Sequence, residues 1–126
     1  MIIANNEELQ VKCEEWQKIL RLQDWNVVAK IKRQSGVKEN SQAHCSWTIQ
    51  NKQATVIILD PIDYPEDLSF PQDMEHSLVH ELLHLHFCPF DDEVDTPKEI
   101  AIEQAVDLIA CALIKLHRAK EGDSLA

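Results

Sequence analysis

Cations are scarce in this chain of 126 residues: 12 Lys and Arg stand against 22 Asp and Glu, for a formal charge of −10. Binding duplex phosphates needs cations, so the balance argues against nucleic acid as a partner. It equally disfavours docking on an anionic membrane. No stretch approaches the roughly 20 apolar residues of a membrane-spanning helix. The opening MIIANNEELQ has no basic run and turns acidic at Glu7 and Glu8, so no secretory signal is expected and the expected compartment is cytoplasmic. The four cysteines (Cys13, Cys45, Cys88, Cys111) form no CxxC; without an export signal they read as reduced thiols, mostly in the core. Only two glycines occur, Gly36 and Gly122, and no repeat, low-complexity block or linker divides the chain.

What remains is an ordinary globular composition, 44% hydrophobic and 27% charged. It suits a single domain over 1–126 with a core that needs no disulfides, its ends (1–5 and 119–126) frayed. Residues 6–22 read as a helix with Leu9, Cys13, Trp16 and Leu20 on one stripe, capped by Asn5 or Asn6. Trp25–Arg33 alternates as a strand, with Trp25, Val27, Ala29 and Ile31 on one face. A polar loop spans 34–43. His44–Ile49 alternates again, with Cys45, Trp47 and Ile49 together. A turn follows at 50–53, and then the nearly continuous apolar strand Ala54–Leu59. A three-stranded, at least partly antiparallel sheet is expected.

After the connection 61–70, Ser69 is the expected cap of a second helix, with Pro71 in its first turn and Leu78, Leu82 and Leu85 facing inward; Pro89 stops it. An acidic loop covers 88–95. Thr96-Pro97-Lys98-Glu99 has the form of a capping box, so a last helix should run from Pro97 to about Arg118. Its expected core face is Ile102, Val106, Ile109, Leu113 and Leu116.

The second helix carries His80-Glu81-Leu82-Leu83-His84, an HExxH. Four residues of helix advance about 6 Å and turn about 400°, so both imidazoles leave one face and can grip one zinc ion at about 2.0–2.1 Å. Glu81 lies about 100° round the helix, placed to reach a metal-bound water rather than the metal. A catalytic zinc wants a third protein ligand and an open position. The glycine and third histidine that metzincins place after the motif are Phe87 and Phe90 here. Glu103 is the better candidate, 19 positions after His84 and one turn before Asp107; Glu99, one turn earlier on the same face, is its rival. Asp107 can accept a hydrogen bond from a ligand histidine and fix its tautomer. His76 reads as a partly exposed surface residue, His44 as structural. His86 and Cys88 are outside candidates for the metal, and His117 lies about 21 Å along the last helix from Glu103, out of reach.

HExxH followed by ExxxD resembles the gluzincin clan of zinc metallopeptidases. The order helix, three strands, motif helix and glutamate helix is similar to a minimal zincin core, as in small phage and bacterial zinc-peptidase-like proteins. The resemblance implies an α+β fold, Zn2+ as cofactor, His80, His84 and Glu103 as ligands, Glu81 as general base and Asp107 as the carboxylate that orients a histidine. It implies hydrolysis of a peptide or protein substrate held along an edge strand before the motif helix, here Ala54–Leu59. For the oxyanion that larger members meet with a His or Tyr, Tyr64 and His86 are the candidates. The competing expectations are a non-catalytic, zinc-stabilised protein-binding or regulatory module, and a plain helical domain with an accidental HExxH.

Overall fold

Described in the computed structural model are residues 1–37, 41–90 and 96–122. Along them run helix α1 (Asn6–Ile19), strands β1 (Asn26–Lys32), β2 (Ala43–Thr48) and β3 (Gln53–Leu59), and helices α2 (Met74–Phe87) and α3 (Pro97–Lys120). The fold is mixed α+β, three α-helices and one three-stranded sheet among the described residues. Parts of the expected loops (38–40 and 91–95) and the tail 123–126 lie outside those residues.

The helix starts follow capping chemistry. Asn5 Oδ1 accepts from the Glu8 N–H at 2.9 Å, and Thr96 Oγ1 from the Glu99 N–H at 3.1 Å ahead of Pro97. The cap of α2 is Asp73, not Ser69, so Pro71 precedes the helix rather than opening it; Asp73 Oδ1 accepts from the His76 N–H at 3.1 Å. Pro89 ends α2 in a short 3-10 turn, Cys88–Phe90.

The sheet order is β1-β3-β2, β1 parallel and β2 antiparallel to β3. This overturns Ala54–Leu59 as the edge strand: β3 is central. The cause is visible in its composition, since a run apolar on both faces suits a strand covered on both. Ala54, Val56 and Ile58 face the helices, while Ile57 and Leu59 meet Val37 and Tyr64 on the other face. The outer edge of β1 is closed by α1: Gln10 Nε2 donates to the Val27 carbonyl at 2.9 Å, Gln10 Oε1 accepts from the Ala29 N–H at 2.9 Å, and Asn6 Oδ1 from the Ile31 N–H at 2.8 Å. β2 forms the opposite edge, next to α2.

Leu9, Cys13, Trp16 and Leu20 are all buried, as are Leu78, Leu82 and Leu85. Ile49, expected to end the second strand on the face of Cys45 and Trp47, lies exposed in the turn after β2. In the N-terminal segment expected to fray, Ile3 is buried, its N–H reaching Met74 Sδ at 3.2 Å, and the Met74 N–H donates to the Met1 carbonyl at 2.9 Å. At the other end α3 continues through Ala119 and Lys120. Its buried stripe is Val106, Ala110 and Ile114, with Ile102 and Leu113 partly covered; Leu116 is 67% exposed and Ile109 39%. The helix is thus turned by roughly 80° from the expected face, at 100° per residue. The rotation brings Glu103 and Asp107 beside α2, which a core face centred on Ile109 would not have allowed. No helix among the described residues is long and apolar enough to cross a membrane.

Candidate metal centre

α2 and α3 meet in a ladder whose rungs run in opposite order along the two helices, so the helices are antiparallel. His84 of α2 faces Glu103 of α3, and His80 faces both Glu103 and Asp107 one turn on. His80 Nε2 lies 2.6 Å from Glu103 Oε1, and His84 Nε2 lies 3.0 Å from Glu103 Oε2. Each oxygen of one carboxylate therefore meets one imidazole. His80 Nδ1 is 3.3 Å from Asp107 Oδ1. One donor atom from each of His80, His84 and Glu103 falls within 4.8 Å of the others. The two imidazoles are mostly covered, whereas Glu103 is 54% exposed, so the cluster opens to solvent on the α3 side.

Proton counting leaves two ways to satisfy this arrangement, a cation at the centre or a second proton on the His80 ring. Both ring nitrogens of His80 face carboxylates, yet a neutral imidazole carries only one N–H. With Nδ1–H donated to Asp107, the Nε2 lone pair points at a carboxylate oxygen, a repulsive contact unless a positive charge lies between them. Ligand atoms about 2.0–2.1 Å from a tetrahedral zinc stand roughly 3.3–3.4 Å apart, so the His84–Glu103 contact, now 3.0 Å, would lengthen by about 0.3–0.4 Å and the His80–Glu103 contact, now 2.6 Å, by about 0.7–0.8 Å. Burial, opposed by Glu103 and reinforced by His80, holds His84 below the usual imidazole range; that favours the neutral ring a metal requires. Glu99, the rival ligand, is outside this cluster but near it: its charge acts on His84, and its Oε2 is buried without a hydrogen-bond partner.

Burial pushes the Glu81 carboxyl up to about 7; His80 opposes the rise and Glu103 adds to it. Its charge also reaches Cys45 on β2, whose thiol is raised chiefly by burial. Glu81 is thus within electrostatic reach of His80 and Glu103 on one side and of Cys45 on β2 on the other.

The other candidates go elsewhere. Tyr64 packs on the far face of the sheet, and its hydroxyl donates to the Phe70 carbonyl at 3.0 Å. His86 Nε2 bonds the Leu20 carbonyl at 2.7 Å, and Cys88 Sγ lies 3.3 Å from the Leu85 carbonyl. Neither Tyr64 nor His86 is available to an oxyanion at this centre. His117 pairs with Glu15 and Glu121, at 3.1 and 3.3 Å. No disulfide forms among the described cysteines, but Cys111, unlike buried Cys13 and Cys88, is exposed. His76, expected to be a partly exposed surface residue, is partly exposed and stands one rung further along the ladder, beside Cys111. No family model, curated protein or solved structure matches the chain, so function is read from the residues themselves.

Proposed function

We propose that the protein is a zincin-type, zinc-dependent peptide hydrolase of the cytoplasm, with His80, His84 and Glu103 as metal ligands and Glu81 as general base. The observation that carries this is the convergence of His80 Nε2, His84 Nε2 and the Glu103 carboxylate from two helices, with Glu81 alongside. Three protein ligands leave one position open, the pattern of catalytic rather than structural zinc. A bound zinc ion supplies an acidified water and polarises a carbonyl oxygen.

The chain's own residues do the rest. Asp107 accepts a hydrogen bond from the His80 Nδ1–H and so fixes the tautomer whose Nε2 lone pair is free for a metal. Glu81 takes a proton from the attacking water and delivers it to the departing amine. The occupation of the β1 edge by Gln10 and Asn6, together with the reach of the Glu81 charge to Cys45 on β2, supports a peptide held as an added strand on the β2 edge. The acidic balance favours peptides over nucleic acids as substrates.

The test is cleavage of unstructured peptides by zinc-loaded protein, followed by mass spectrometry. Glu81→Gln should keep its zinc and lose about 10²–10⁴-fold in rate. Equal cleavage by both proteins removes the base assignment. Zinc binding without cleavage by the wild type favours the non-catalytic module.

A further inference from the structure

The ladder between α2 and α3 continues one rung beyond the centre just described. His76 precedes His80 by four residues and Cys111 follows Asp107 by four, so each sits on the same helix face as its neighbour. His76 Nε2 lies 3.4 Å from Cys111 Sγ and 3.5 Å from Asp107 Oδ1. One donor atom from each residue falls within 4.8 Å of the other two. We propose that His76, Asp107 and Cys111 form a second divalent-metal site, suited to a thiophilic ion such as zinc, cobalt or cadmium. It goes beyond the proposed hydrolase and does not depend on it.

Three observations carry this. A sulfur and a carboxylate oxygen converge on one imidazole nitrogen, which has a single proton or a single lone pair and cannot serve both well. A cation at the centre satisfies all three. The two distances from His76 fit to within about 0.2 Å: ligands at about 2.3 Å for sulfur and 2.0–2.1 Å for nitrogen and oxygen stand roughly 3.6 Å (S to N) and 3.4 Å (N to O) apart in a tetrahedron. The donor set also differs in kind from the first centre, because a thiolate selects softer ions than two imidazoles and a carboxylate do. Asp107 Oδ1 is at the same time 3.3 Å from His80 Nδ1. A carboxylate oxygen has lone pairs for both roles, so Asp107 joins the two sites without being a ligand of the first. Cys111 is exposed, and the groove beside it, lined also by Ile114 and Lys115, leaves a fourth position to water.

Cobalt distinguishes the sites, since only the second offers a thiolate. Full-length protein titrated with Co2+ under a non-chelating reductant should show thiolate-to-cobalt charge-transfer absorption. Cys111→Ser and His76→Gln should each lose that absorption and one equivalent of bound cobalt. His84→Ala should keep the absorption while losing the equivalent held by the first centre. Failure of the first centre alone would leave one equivalent with the absorption intact. The inference is overturned by absence of charge-transfer absorption in the wild type, or by a Cys111→Ser protein that keeps both the absorption and its metal content.

Discussion

Individual residues are legible in the sequence where a local spacing dictates where they point. HExxH is such a case, because the helix alone brings His80 and His84 to one face and turns Glu81 off it. Contacts between separate elements are not written that way. Nothing in the spacing of His76 and Cys111 says that they lie 3.4 Å apart, although each repeats the i, i+4 interval of the first centre. Tyr64 and His86 fail as oxyanion partners for the converse reason: they are near the motif in sequence but face other surfaces. Backbone conformation is a further hidden quantity. Arg21 follows α1 with φ +62°, and the Leu22 N–H closes back on the Gln17 carbonyl at 2.7 Å, a left-handed helix end that glycine usually fills. Relief of the Cβ clash should let Arg21→Gly raise stability by about 0.5–1 kcal/mol, despite the larger entropy of glycine in the unfolded chain. Its urea midpoint should move up; an unchanged or lower midpoint would mean that the arginine side chain contributes more than the strain costs.

Among the elements, type and order were readable and their lateral arrangement was not. α1, the three strands, α2 and α3 begin and end within a few residues of expectation, the start of α2 excepted, because caps, alternation and prolines are local signals. Strand order depends on pairing between distant segments. The doubly apolar face of β3 nonetheless carried the information that it is central. The rotation of α3 is a conflict between two readings of one helix: apolar Ile109 and Leu116 call for burial, yet Glu103 and Asp107 take the α2 side. That arrangement places three carboxylate or thiol positions along one face opposite three imidazoles. In the absence of a cation, the rungs nearest Glu103 press a carboxylate against two rings; with one, they become ligands. The α2–α3 pairing should therefore tighten on metal binding. Zinc held free at 100 times its dissociation constant should add about 2.7 kcal/mol to the unfolding free energy. A chelator should reverse the gain. Glu103→Ala should lose most of the zinc-dependent rise in Tm at the same metal concentration, whereas Glu99→Ala should retain it; the opposite ranking would exchange the two glutamates as third ligand.

For the molecule as a whole, the three helices are tied by a charged cluster around Glu75. Glu75, 2% exposed, accepts from Trp16 Nε1 at 2.9 Å and from Arg118 Nη2 at 3.0 Å, with Lys12 Nζ at 3.5 Å. Arg118 also donates to Asp73 at 2.9 Å. Burial pushes the Glu75 and Asp73 carboxyls up, but the hydrogen bonds and cations around them outweigh it and leave both below their usual range. Unfolded chains therefore bind more protons than folded ones in acid. The stability these groups contribute is complete above the ordinary carboxylate range, near pH 4–4.5, and is lost as pH falls through their lowered folded values. Asp63, held at about 2 chiefly by its hydrogen bond from Arg33, adds to the same window. Glu81 acts in the opposite sense in metal-free protein: its carboxyl is raised to about 7, so it removes stability as pH climbs from about 4.5 toward 7. Glu75→Gln leaves Arg118 and Lys12 without their shared anion and should cost about 2–4 kcal/mol at pH 7. Its stability should then fall less steeply than the wild type's below pH 4.5, while the loss between pH 4.5 and 7 persists. Glu81→Gln should show the reverse: the loss from 4.5 to 7 disappears, leaving the rise that the lowered His84 contributes in that window, and the acid limb is unchanged. Denaturant midpoints measured in chelator across pH 2.5–8 separate the two. An acid limb as steep in Glu75→Gln as in the wild type would shift the source of acid lability to carboxylates outside this cluster.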